Sequence, residues 1–353
     1  MVNRDDLLED ETIIRDCVYR VVSNSKIKAD IYPPSENTNI KLNGHPIFLF
    51  IHGGGFMNSN RKDICAPFID KARQKGFVIV SMDYRLAPET KLDGMLEDLE
   101  AMGKWLLEEL PSKLPDTAID TSKIVVVGSS VGAVLALSTP KHWGGHQPCA
   151  IVSLYGPADL RKVPFLGLTR AARLRKFFDD NLEKKSPEEY MAPESKVFED
   201  GTDFDNPPSD SDALDAKIKA NRPKFSAWVV NQGGLAKIAV EGISGQPGRF
   251  DFQVPKKMAP EEDQKYLELS PIYLGKKYQF PPTYIVRCKD DDVFKPHHSE
   301  DLRKALIEAP CPVQDCPAIE ELQGKHASDN VFTELEPAQE RVLKWLSEKV
   351  GLQ

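Results

Sequence analysis

The residues best suited to chemistry lie in the stretch VVVGSSVGAVLAL, at 125–137. Two adjacent serines sit between glycines, and one register, Gly128-Ser129-Ser130-Val131-Gly132, fits G-x-S-x-G with Ser130 at its centre. The stretch opens as a β-branched strand and continues into small apolar residues suited to a helix. A residue on so sharp a strand-to-helix turn stands in strained backbone above the sheet, and flanking glycines leave room for neighbouring chains. The helix N-terminus that follows stabilises developing negative charge through its dipole and its N–H groups. The chemistry this suits is nucleophilic attack by a serine hydroxyl. Ser129 lacks the second glycine at the required offset. Short glycine-serine motifs also make ordinary turns, so the pentapeptide needs support from elsewhere in the chain.

Support comes first from HGGGF at 52–56, directly after an apolar run. Three consecutive glycines are poor in a strand or helix interior. They suit a loop whose N–H groups point at a ligand with no side chain in the way. A tetrahedral intermediate needs such donors for its oxyanion, and the candidates are the N–H groups of Gly54, Gly55 and Val131. A serine nucleophile also needs a base held by an acid, in the chain order Ser, acid, His. Downstream, RCKDDDVFKPHH at 287–298 offers Asp290, Asp291 and Asp292, and LQGKHASDN at 322–330 places His326 in a loop. His297 and His298 stand at the start of an expected helix, where solvated histidines are common. His142 and His146 fit the chain order poorly, and His52 belongs to the glycine loop and shapes it. His326 is the base of choice.

These residues need a scaffold, and the hydrophobic pattern supplies one. Compact apolar runs at 45–52, 77–84, 123–128 and 149–156 read as strands buried on both faces. Runs at 281–288 and 317–324 read as two more. Helical periodicity at 93–110 and 334–350 alternates with them. Strand alternating with helix predicts an α/β fold with a mostly parallel central sheet flanked by helices. Between about 160 and 267 the pattern changes: an amphipathic helix is expected over 168–182 and an acidic, Pro- and Ser-rich loop over 198–215. One or two short helices, broken at Gly233-Gly234, are expected over 224–243. This segment reads as a helical insertion on the core.

Composition narrows the function classes. The chain has 353 residues, 41% of them hydrophobic, which suits one large domain with an insertion. A net charge of -8 argues against nucleic acid as a partner. The acidic N-terminus does not read as a secretory signal, and no stretch nears the roughly 20 apolar residues that span a bilayer. A soluble, cytoplasmic protein is expected. The six cysteines are scattered and lack metal-ligand spacing, so free thiols are expected and no metal site.

With these residues in hand, the chain resembles the hormone-sensitive-lipase-like, HGGG-bearing carboxylesterase group of the α/β-hydrolase superfamily, from about residue 29 to the C-terminus. HGGGF is similar to that group's oxyanion signature, DYRLAPE at 83–89 to its segment after the next strand, and GSSVGAVLAL to its nucleophile region. SPI at 270–272 resembles the short segment before its acid strand. The resemblance implies an α/β-hydrolase fold with a helical cap. Residues 1–28 would join the cap, 29–159 and 268–353 would form the core, and 160–267 would be the cap insertion. It implies Ser130 as nucleophile, His326 as base and Asp291 as acid, with Asp290 and Asp292 as turn residues. It departs from the group at Ser129, where Asp is frequent, at Val131, where Ala is usual, and at Ala327-Ser328, where an aromatic often follows the His. The expected activity is hydrolysis of small or medium apolar carboxylic esters through an acyl-enzyme, with no organic cofactor or metal. The alternatives are lactonisation, acyl transfer, dehydration or amide hydrolysis by the same triad in secondary metabolism, and a non-catalytic small-molecule receptor. The partner is a small ester or lactone; cap helices could also pair two copies into a homodimer.

Overall fold

The computed structural model describes residues 9–23, 25–35, 44–87, 89–163, 234–242, 259–327 and 334–352, together with Leu7, Val229 and Asp329. Eight strands form one sheet: β1 (Ile14–Val22), β2 (Ser25–Tyr32), β3 (His45–Ile51), β4 (Val78–Met82), β5 (Ile119–Ser129), β6 (Ala150–Leu154), β7 (Thr283–Cys288) and β8 (Glu320–Leu322). Their order is β1-β2-β4-β3-β5-β6-β7-β8. Only β2 runs against its neighbours, pairing antiparallel with β1 and β4; every pairing from β4 through to β8 is parallel.

The central strands are apolar on both sides because both sides are covered. Ile47, Leu49 and Ile51 of β3 join one apolar cluster, and the alternate Phe48 and Phe50 join the other. The first cluster takes in the apolar stripe of α2 (Leu92–Glu108). The second takes in Phe68 and Ile69 of α1 (Ala66–Gln74) and, from the C-terminal helix Pro337–Val350, Val342, Leu343 and Leu346. The short helix α3 (Gly132–Ala136) follows β5 without a gap wider than two residues and is wholly buried. Beyond the insertion's first part come α4 (Leu235–Glu241), α5 (Pro260–Glu268), α6 (Pro271–Lys277) and α7 (His297–Ile307); the C-terminal helix is α8. Among the described residues no helix is long and apolar enough to cross a membrane, and all six cysteines are free thiols.

The six strands expected from apolar runs all form, within a few residues of the expected bounds. The N-terminal segment differs from expectation. Of residues 1–28, expected to join the cap, Ile14–Val22 is the edge strand of the sheet and Ser25–Lys28 begins the next one. The reason is visible in its side chains. An edge strand keeps one polar flank, so Val21 stays 60% exposed, and register shifts interrupt its pairing. The helix expected over 168–182 and the loop over 198–215 lie outside the described residues. At the expected glycine break, Gly234 precedes α4, whose residues Leu235, Ala236, Ile238, Ala239 and Val240 are buried.

Because β3 and β5 through β8 are parallel, their C-terminal ends lie along one edge of the sheet. The loops that leave them carry His52 to Phe56, Ser130, Asp290 to Asp292 and His326. In open α/β sheets this edge is where ligands bind.

Candidate active site

Ser130 leaves β5 with φ +52°, a left-handed conformation that costs a non-glycine residue roughly 1–2 kcal/mol. Its N–H donates to Leu154 O at 2.8 Å, and its carbonyl accepts from Ala133 N at 3.1 Å, so the turn is tied to β6 and to α3. Both motif glycines are needed for close approach. A Cβ on Gly128 would overlap the carbonyl of Gly132, and one on Gly132 would overlap the carbonyls of Ile51 and His52. The glycine loop therefore lies directly on the serine turn: a Cβ on Gly53 would come within 2.9 Å of Ser130 Cβ.

His326 stands between Ser130 and Asp291. Its Nε2 lies 2.8 Å from Ser130 Oγ and its Nδ1 lies 2.9 Å from Asp291 Oδ2. The other carboxylate oxygen of Asp291 accepts from Val293 N and Phe294 N, both at 2.8 Å, which fixes the carboxylate's orientation. Aromatic edges flank the imidazole, with Tyr155 at 5.0 Å and Phe294 at 5.1 Å between ring centroids. The His326 and Asp291 side chains are only 7% and 5% exposed, so their hydrogen bonds are shielded from competing water.

The glycine loop is held from beneath. Gly54 and Gly55 have φ of +93° and +65°. A Cβ on Gly54 would overlap Asn58 O, whose own N–H closes the loop onto Gly54 O at 2.9 Å. The Tyr84 hydroxyl lies within hydrogen-bond reach of the carbonyls of His52 (3.0 Å) and Gly53 (2.9 Å), and its ring stacks on His52 at 4.3 Å. Burial lowers the His52 pKa to about 4, so that ring is neutral near pH 7. Val131 immediately precedes α3, with its side chain fully buried in the apolar cluster. Leu235 of α4 closes over the loop, with Cδ1 3.2 Å from where a Gly55 Cβ would stand.

A family profile described as "alpha/beta hydrolase fold" matches residues 48–197, the part of the chain that holds the glycine loop and Ser130. The chain has the α/β-hydrolase fold. Solved α/β hydrolases and esterases share this fold. An α/β-hydrolase superfamily protein from Enterococcus faecalis is 18% identical with a TM-score of 0.55, covering 93% of this chain and 97% of that one. An esterase from Pyrobaculum calidifontis is 19% identical with a TM-score of 0.53, covering 96% and 82%. Among curated proteins, the non-reducing polyketide synthase stbA of Stachybotrys bisbyi is 38% identical over 150 residues, 40% of this chain. The non-reducing polyketide synthase pkbA of Emericella nidulans is 37% identical over 161 residues, 44% of this chain. The match takes in only 6% of the length of each synthase.

Within this fold the other candidate acids and histidines take other partners. Asp290 is exposed and donates its N–H to Gly324 O, while Asp292 lies 4.0 Å from Lys325 Nζ. His142 pairs with Glu100 at 2.8 Å, and His146 is exposed. His298 stacks on His297 at the start of α7, and its Nδ1 accepts from Ala158 N at 3.2 Å. Among the described residues no group of three or more His, Cys, Asp or Glu side chains could hold a metal ion.

Accepting that bond requires a neutral His298, and burial, reinforced by the His297 charge, lowers its pKa to about 4. An unfolded histidine takes up its proton near 6.5, so His298 stabilises the fold fully above that pH. The contribution is lost as pH falls toward 4, by up to about 3 kcal/mol. Urea unfolding of the wild type and His298→Gln at pH 7 and pH 4.5 reads this directly. The stability gap between the two is expected to shrink on acidification; an unchanged gap would show that His298 is not held neutral.

Sequence reasoning missed several residues around the site. Tyr84 was visible only as part of a motif. Arg61, Tyr155 and Asp329 carried no signal, because a lone polar residue in a loop does not announce that it will be buried.

Proposed function

We propose that this α/β hydrolase is a serine esterase that cleaves small to medium apolar carboxylic esters through an acyl-enzyme. The observation that carries the reading is the continuous line from Ser130 Oγ through His326 to Asp291. His326 Nε2 takes the proton as Ser130 Oγ attacks the ester carbonyl, and returns it to the leaving alkoxide. Asp291 accepts a hydrogen bond from Nδ1–H, fixes the tautomer that leaves Nε2 free to act as base, and stabilises the imidazolium. The N–H groups of Gly54, Gly55 and Val131 receive the oxyanion. Water activated by His326 then releases the acid. The cap insertion, 160–267, sets what enters.

The oxyanion assignment has a direct consequence. Gly54→Ala puts a Cβ into Asn58 O at φ +93°, so the loop must change shape. Loss of an oxyanion donor is expected to lower kcat by about 100-fold or more on p-nitrophenyl acetate. A kcat within threefold of wild type would remove Gly54 from the oxyanion site.

A second reading is favoured by the polyketide synthases among the relatives. The same acyl-enzyme can be formed from a thioester and resolved by water, by an internal hydroxyl to give a lactone, or by another acyl acceptor. A panel of p-nitrophenyl esters of increasing chain length, aromatic acyl thioesters, lactones and amides separates the two. Turnover of the short esters, absent in Ser130→Ala, supports the esterase. Weak, flat turnover of simple esters beside fast turnover of the aromatic thioester supports the second reading. No turnover above Ser130→Ala on any of them contradicts both.

A further inference from the structure

Against the imidazole of His326 lies a buried pair that the triad chemistry does not use. Tyr155 Oη donates to Asp329 Oδ1 at 2.8 Å, across 174 residues of sequence. Both residues are only 2% exposed. Tyr155 follows β6 with φ +43°, and its N–H donates to Val286 O at 2.7 Å, so a costly backbone conformation aims this ring into the core. The ring then meets the imidazole of His326 edge-on, with centroids 5.0 Å apart and planes at 73°.

Resting on the hydrolase reading above, we propose that Asp329 is a positioning residue for His326, acting through Tyr155 and supplying a second, buried carboxylate that supports the imidazolium formed during acyl transfer. Three features point the same way. First, Asp329 lies three residues after His326, so its bond to Tyr155 anchors the end of the loop that carries the base. The loop's turn includes Ala327 at φ +54°, a conformation that needs such an anchor. Second, a carboxylate buried against a neutral phenol is costly unless a cation compensates it, and His326 is the group nearby that becomes cationic during the reaction. Third, the charges are coupled. Burial pushes the Asp329 carboxyl up to about 6, while the Tyr155 hydroxyl and the His326 charge pull it down and Asp63 pushes it up. The other titratable groups facing it are the thiols of Cys65 and Cys288, which burial first, and carboxylate charge after it, hold protonated. Above that pH Asp329 is an anion beside His326; below it, the support is withdrawn. No proton needs to move between Asp329 and the reacting atoms.

The rate at which a fluorophosphonate labels Ser130 reads activation of the nucleophile without knowledge of the substrate. It is measured against pH for the wild type, Asp329→Asn and Tyr155→Phe, with Ser130→Ala as the blank and thermal unfolding of each as a control. Asp329→Asn keeps an acceptor for Tyr155 and removes the charge. Its labelling rate is expected to fall about tenfold at pH 8, and the acid limb of its profile to move to lower pH. Tyr155→Phe leaves Asp329 without its donor, so labelling is expected to fall most below pH 7 and to recover part of the loss at high pH. An Asp329→Asn profile that matches wild type, or that is lowered without any move of its acid limb, overturns the proposal and leaves the hydrolase reading standing. If Asp329→Asn does not fold, Tyr155→Phe decides: a uniform loss at every pH, or none, overturns it. A wild type that labels no faster than Ser130→Ala overturns the hydrolase reading and this inference with it.

Discussion

Ser130→Ala is expected to lower kcat on any ester the protein turns over by about 10⁴–10⁶-fold, with the fold intact. The size follows from what is removed. Without the hydroxyl there is no acyl-enzyme, and only binding and the oxyanion donors remain to help water attack. The fold survives because alanine inherits the same backbone, φ +52°, and the serine's N–H and C=O bonds to Leu154 and Ala133 are untouched. The lost Oγ contact is the one to His326. In the proposed mechanism Ser130, His326 and Asp291 act as a unit, so their losses should not multiply. The double variant Ser130→Ala/His326→Ala is expected to be no slower than Ser130→Ala alone. Asp291→Asn should cost about 10⁴-fold, because an amide at that place can hold the wrong tautomer. Steady-state kinetics on Ser130→Ala, His326→Ala, their double variant and Asp291→Asn checks this. Multiplicative losses would mean that the three side chains do not share one step.

Arg61→Met is expected to lower stability by about 3–5 kcal/mol, the largest loss anticipated for a single change outside the catalytic line. Arg61 is fully buried, and its guanidinium meets Asp83 at 2.5 Å, Asp30 at 2.8 Å and Asp16 at 2.7 Å. Burial opposes its charge, but Asp83 and Asp30 more than restore it and raise its pKa. Its backbone is bound as well, with its N–H on Asp83 Oδ1 and its carbonyl on Ser81 Oγ. Burial also pushes the Asp83 carboxyl up to about 7, against the pull of Arg61. Removing the guanidinium therefore strands two buried carboxylates, which is what makes breaking such a cluster costly. The loss should reach the site, since Tyr84, the residue after Asp83, holds the carbonyls of His52 and Gly53. Arg61→Lys keeps the charge but not the three-way fork, and should fall between wild type and Arg61→Met. Urea midpoints rank the three. A loss under 1 kcal/mol in Arg61→Met would mean that the cluster does not hold the loop.

The parts of the fold that were legible in the sequence are those whose pattern reflects a single physical demand. Strands β3 to β6 are buried on both faces, so they read as unbroken apolar runs. Ser130 and the glycine loop were legible because close backbone approach excludes a Cβ at Gly128, Gly132 and Gly54. The chain order of Ser, Asp and His needed no structure. Among three consecutive aspartates, though, only the resemblance to known esterases favoured Asp291; in the structure it is the one whose carboxylate reaches His326. Strand β1 was illegible because an edge strand alternates and breaks register, and its bulge near Asp16, at φ +59°, follows from contacts distant in sequence. Arg61 and the Tyr155–Asp329 pair were illegible for a related reason. Their partners come from other loops, and burial of a charge is decided by the assembled sheet rather than by neighbours along the chain.

The proposed chemistry requires Ser130 to be an activated nucleophile. The direct test is to treat the intact protein with a fluorophosphonate and map the modified peptide by mass spectrometry. One adduct is expected, on Ser130 and not on Ser129, formed quickly in the wild type and lost in both Ser130→Ala and His326→Ala. A wild type that stays unmodified, or an adduct that persists in His326→Ala at the wild-type rate, would contradict it. The first result would leave a pocket that binds without reacting, and the second a serine that needs no base.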